Sequence, residues 1–241
     1  MRVMERIAAV LIVSLSVWVL VMWAGTRFEG EEPNRIMRVE LGSDAASLNR
    51  AVRAADENGI AHNIEMVVRN TDLDFVLIVL YWLTFLSLAA LAWRLGQRFL
   101  AGCSALFITA AAVSDLFENG AILTAMGVKP FSDATAVVIS EFSLWKWTCF
   151  FLGTLLLGLA IMVNHRVSTM RRVSGAIFLA SGLIGILGIL RSRVSLDFAI
   201  ETIDVGLLLV SAALLLSLWK ILISLRALNQ LRRVEPSHVQ G

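Results

Sequence analysis

Six stretches of this chain are each apolar enough to cross a lipid bilayer, and they leave little room for any other architecture. They are Ile7–Ala24, Leu73–Trp93, Phe99–Met126, Phe142–Val163, Val173–Leu190 and Phe198–Leu222. A helix needs about 20 apolar residues to traverse the hydrocarbon core. Backbone polar groups must be satisfied internally there, which a helix achieves within its own segment. With 58% hydrophobic and 17% charged residues over 241 positions, the composition points the same way. The expected fold is an all-α integral membrane protein with about six transmembrane helices and a small extracytoplasmic cap between the first two. Residues 1–24 form the first span, 25–72 the cap, 73–225 a five-helix bundle and 226–241 a tail.

Basic residues orient the spans. Arg2 and Arg6 precede the first, Arg94 and Arg98 separate the second and third, and Arg166, Arg171 and Arg172 separate the fourth and fifth. Lys220, Arg226, Arg232 and Arg233 lie at and beyond the end of the last. All fall on one side if both termini are cytoplasmic. Of the 19 acidic residues, only Glu5 and Glu235 share that side. The expected location is the inner (plasma) membrane, multi-pass. Met1-Arg-Val-Met-Glu-Arg6 resembles the basic start of a signal peptide, but the apolar run is long and Trp23-Ala-Gly-Thr26 is a poor cleavage site, so a retained helix is expected.

Between the first two spans, Met37–Leu41 reads as a short strand. Ser43-Asp44 suits the start of a helix from Ala45 to Asn58, stopped by Gly59. A second helical stretch, Ile60–Asn70, leads into the second span. Fewer than about fifty residues scarcely build a core alone, so the segment is expected to rest on the outer mouth of the bundle.

Chemistry enters through ionisable residues in apolar surroundings, which are costly in hydrocarbon and mark function or register. Asp115, Glu118 and Asn119 share one helix face by their i, i+3 and i+4 spacing. Asp197, Glu201 and Asp204 form another stripe, and Lys146 and Arg191 are cations near the same level. Counting from the tail-side basic residues places Asp115, Lys146, Arg191 and Asp204 roughly 24–30 Å up at about 1.5 Å per residue. The candidate binding residues are therefore Asp115, Glu118, Asn119, Lys146, Arg191, Glu201 and Asp204. Two carboxylate faces in one layer repel unless protonated, or neutralised by Lys146, Arg191, Arg193 or a bound cation.

Three functions fit this pattern. The first is an outward-facing charged chamber between helices 3–6 that binds or transports a lipid headgroup, a cation or a small polar solute. The second is a structural or assembly subunit of a membrane complex. The third is a non-metal lipid-modifying enzyme using Glu118 or Asp115 as acid–base. No HExxH, CxxC, GxSxG, Walker A or GxGxxG pattern occurs in a usable context, so no metal or cofactor is called for. The net charge of +2 implies no nucleic-acid partner. Membrane lipids are the expected partners, with self-association or other membrane proteins as further ones. Gly175, Ser181, Gly182, Gly185 and Gly188 suit close helix packing. Cys103 and Cys149 lie at different depths and are read as unpaired.

Overall fold

A computed structural model describes residues 2–28, 35–53, 57–163, 168–192 and 194–234. Among these residues there are eight helices: α1 (Arg2–Phe28), α2 (Arg35–Leu41), α3 (Ala45–Ala51), α4 (Glu57–Arg94), α5 (Arg98–Met126), α6 (Asp133–Met162), α7 (Thr169–Arg191) and α8 (Leu196–Val234). Six of them, all but α2 and α3, are long and apolar enough to span a membrane. The chain is an all-α multi-pass membrane protein.

The bundle runs α4–α5–α6–α7–α8 by contact between sequence neighbours, and α1 packs against both α4 and α8. Ala8, Ile12 and Leu15 bury one face of α1 there. The outward surfaces are apolar: Leu106 is 68% exposed and Leu208 71%. This is the arrangement expected where the surrounding solvent is lipid. Inside, hydroxyls join neighbouring helices through backbone carbonyls. Ser104 Oγ donates to the Gly153 carbonyl of α6 at 2.8 Å, and Ser181 Oγ to the Gly206 carbonyl of α8 at 2.8 Å. Small residues allow such approach. A Cβ on Gly182 would stand 2.6 Å from the Leu155 Cβ and 2.8 Å from the Phe151 carbonyl oxygen.

Helix ends follow local chemistry. Gly96 adopts φ +97° in the tight link between α4 and α5, a conformation that favours glycine. Ser132 caps α6 by accepting from the Thr135 amide at 3.1 Å. Asp44 caps α3 by accepting from the Ser47 amide at 2.6 Å.

Three local expectations are corrected. Met37–Leu41 is not a strand: it belongs to helix α2. A five-residue apolar–polar run fits either period, and here the helical one buries both Val39 and Glu40. The helix from Ala45 ends at Ala51, and Gly59 stops nothing: it lies inside α4, which starts at Glu57. Asn63 Nδ2 donates to the carbonyls of Val52 and Arg53 at 3.3 and 3.1 Å, fastening α4 to the end of α3. α4 has 38 residues, or roughly 57 Å at about 1.5 Å per residue, so its first turns rise beyond an about 30 Å hydrocarbon layer.

These first turns, α2 and α3 share a small core with the near ends of α5 and α6. Val39, Leu48, Val52, Val67, Ile122 and Ile139 are buried in it. The segment between α1 and the membrane part of α4 is thus a cap seated on one end of the bundle.

Candidate functional site

Lys146 stands at the centre of a buried cluster where the cap meets the bundle. Its Nζ lies 2.6 Å from Glu118 Oε2, 3.0 Å from Glu40 Oε2 and 3.3 Å from Asp115 Oδ1. Nζ also sits 4.7 Å from the centroid of the Trp147 ring, within cation–π range. Glu118 is fully buried; Asp115, Lys146 and Glu40 are almost so. Three elements supply these groups: α2 brings Glu40, α5 brings Asp115 and Glu118, and α6 brings Lys146.

Neutral donors orient the carboxylates. Tyr81 Oη donates to Asp115 Oδ2 at 3.1 Å, and Trp147 Nε1 to Glu40 Oε2 at 3.2 Å. Ser143 Oγ bonds to Glu118 Oε1 and lies 3.0 Å from the Ile139 carbonyl. Its single hydrogen is shared between the two acceptors. Asp115 Oδ1 and Glu118 Oε2 have the Lys146 ammonium as their only partner among the described residues. One turn outward, Asn119 Nδ2 donates to Asp74 Oδ2 at 2.9 Å.

Asp74 connects the cluster to space. A cavity of about 200 Å³ is lined by Met22, Ile36, Glu40, Asn70, Thr71, Asp74, Asn119 and Ile122. Its walls belong to α1, α2, α4 and α5. It combines two carboxylates with amide and hydroxyl groups and an apolar side. The expected chamber between helices 3–6 is therefore displaced: α1, α2 and α4 bound it with α5, because α2 covers the cluster from above.

Four of the seven sequence-predicted residues meet here: Asp115, Glu118, Asn119 and Lys146. Arg191, Glu201 and Asp204 do not. All three are exposed, and no ion pair or hydrogen bond among the described residues joins them to the cluster. Arg191 is the exposed last residue of α7, and for Glu201 and Asp204 the cause is the rotation of α8: Ala199, Ile200 and Ile203 bury its inner face, which turns the stripe of Asp197, Glu201, Asp204 and Leu208 away. Asp197 pairs instead with Arg38 of the cap at 3.0 Å. Arg193, the further counter-charge, lies outside the described residues.

Sequence reasoning missed Glu40, Asp74 and Tyr81. Glu40 was hidden by the strand reading, and Tyr81 is an aromatic within an apolar span whose spacing does not tie it to Asp115. Asp74 stood at the boundary of a span, where an acid attracts no notice. The signal that finds it is its place inside the apolar run of α4 that begins at Leu73.

Both Cys103 and Cys149 are free thiols. At the opposite end of the bundle, Glu5 is buried and faces Arg171 at 3.6 Å beside a cavity of about 60 Å³.

These features define a class, a helical membrane protein with a capped, charge-bearing chamber at one end. No protein-family model, curated protein or solved structure matches the chain.

Proposed function

We propose that the protein binds a cationic amine in the capped chamber, on the extracytoplasmic side of the membrane. The observation that carries this reading is the charge imbalance. One ammonium, Lys146, faces three carboxylates, and a fourth, Asp74, has the neutral Asn119 as its hydrogen-bond donor on the cavity wall. Buried carboxylates without counter-charge are costly and draw in protons or cations. Asp74 and Glu40 supply charge, Asn70 and Thr71 lie beside them, and Met22, Ile36 and Ile122 accommodate the alkyl part of an amine. A binding site needs this mixture of apolar walls and few polar anchors.

Orientation follows from the basic links. Arg94, Arg98, Arg171 and Arg172 lie at the end opposite the cap, which the positive-inside rule assigns to the cytoplasm. With the cap outside, both termini lie on the cytoplasmic side, and a transport cycle would load the amine from outside.

Native mass spectrometry of the purified wild type beside Asp74→Asn tests the reading. A bound amine, whether a small solute or an aminophospholipid, should be retained by the wild type and lost in the variant. Equal spectra of the two proteins contradict it.

A second reading has its own support: the Lys146 cluster ties α2, α5 and α6 together and thereby latches the cap. The protein would then serve assembly, with the cluster fixing register. An enzymatic use of Glu118 or Asp115 gains no comparable support, since neither residue lines the cavity.

A further inference from the structure

A second cavity, of about 230 Å³, lies where α3 and the α2–α3 link face α6 and the turn between α7 and α8. It is lined by Ser43, Ser47, Arg50, Ser140 and Ser192, with Leu41, Gly42, Leu144, Val194 and Leu196 completing the wall. Four hydroxyls and one guanidinium converge from separate parts of an otherwise apolar chain. Ser140 is a buried residue of α6 that lines this cavity, so its hydroxyl is within reach of whatever occupies it. Arg50 spends one N–H on Ser47 Oγ at 2.9 Å, leaving the rest of its donors for the cavity. The close turn depends on Gly42, whose Cβ would stand 2.6 Å from the Ser47 Cβ.

We propose that this cavity is a binding site for a phosphodiester, with Arg50 and the serine hydroxyls of Ser43 and Ser140 as donors to its oxygens, while Ser192 Oγ donates to the Ile189 carbonyl at 2.8 Å and only borders the site. Guanidinium groups pair readily with phosphate oxygens, and hydroxyls complete the shell. Asp44 lies close enough to Arg50 to feel its charge, and its carboxylate is directed at the α3 amide of Ser47. That partial offset suits a singly charged diester better than a doubly charged monoester. The site lies at the cap-side ends of α7 and α8 and two to three turns into α6, with Leu41, Leu144 and Leu196 as apolar wall for the alkyl part. The source is a glycerophospholipid headgroup or a soluble glycerophosphodiester; both present the same oxygens. This site is separate from the amine chamber and stands without it.

The test uses the full-length protein purified and delipidated in a phosphate-free maltoside detergent. Phosphatidylglycerol and glycerophosphoglycerol are added separately and counted by native mass spectrometry. One phosphatidylglycerol should be retained, with affinity about tenfold weaker in Arg50→Gln, as loss of a charge-assisted contact implies. Ser140→Ala keeps every charge and should also weaken retention, while Arg53→Gln, an exposed neighbour outside the cavity, should not. Comparable binding of the soluble diester identifies a water-borne ligand; binding of the lipid alone identifies a headgroup. No retention of either compound overturns the proposal. So does wild-type binding in both Arg50→Gln and Ser140→Ala, or an equal loss in Arg53→Gln.

Discussion

At the scale of single residues, Lys146 carries the heaviest demand. Removing it as Lys146→Met leaves Glu40, Asp115 and Glu118 facing one another in a buried space. Breaking a buried ion pair costs about 3–5 kcal/mol. The variant should unfold at clearly lower temperature or denaturant concentration than the wild type; an unchanged midpoint would show that the carboxylates need no counter-charge. Glu40 supplies a pH signature. Burial is the largest influence on its carboxyl and pushes it above the ordinary 4.5, while Lys146 pulls it back without cancelling the effect. A carboxyl raised in the folded state stabilises most below about pH 4.5 and loses that contribution as pH rises through its raised value. Thermal midpoints of wild type and Glu40→Gln should therefore diverge with pH, the wild type losing ground to the variant as pH rises. Parallel profiles would contradict the burial of the Glu40 carboxyl between cap and bundle. The helix-face spacing of Asp115, Glu118 and Asn119 was legible in the chain, and counting residues placed Lys146 near their level. Glu40 was not legible, because its role depends on where a seven-residue helix folds back.

At the scale of elements, hydropathy located every span, since a run of about 20 apolar residues has few other destinies in water or lipid. What it did not give was rotation about the helix axis. Asp197, Glu201 and Asp204 form as good a stripe as Asp115, Glu118 and Asn119, yet packing turned one outward and the other inward. In lipid, both faces of a helix are apolar, so polarity alone does not say which face is buried. The small residues of α7 were more informative. Gly182 meets Leu155 and the Phe151 backbone on α6, so its methyl would force a shift of backbone. Gly182→Ala should destabilise by about 1–3 kcal/mol, as overpacking does. Exposed Gly120, with nothing near its missing Cβ, provides the control: Gly120→Ala should leave stability at or slightly above the wild type.

For the whole molecule, the cap and bundle act together: the cap contributes Glu40 and Ile36 to a chamber whose other walls belong to spans. Neither part holds the site alone. The central claim is that this chamber takes up a cationic amine against excess buried carboxylate, and proton release reports it directly. Isothermal titration of the purified full-length protein with ethanolamine, in two buffers of different ionisation enthalpy, measures binding and proton release together. The account predicts saturable binding in the wild type, protons released into the buffer as the amine enters, and loss of both in Asp74→Asn. Absence of saturable binding, or an identical isotherm in Asp74→Asn, would contradict it.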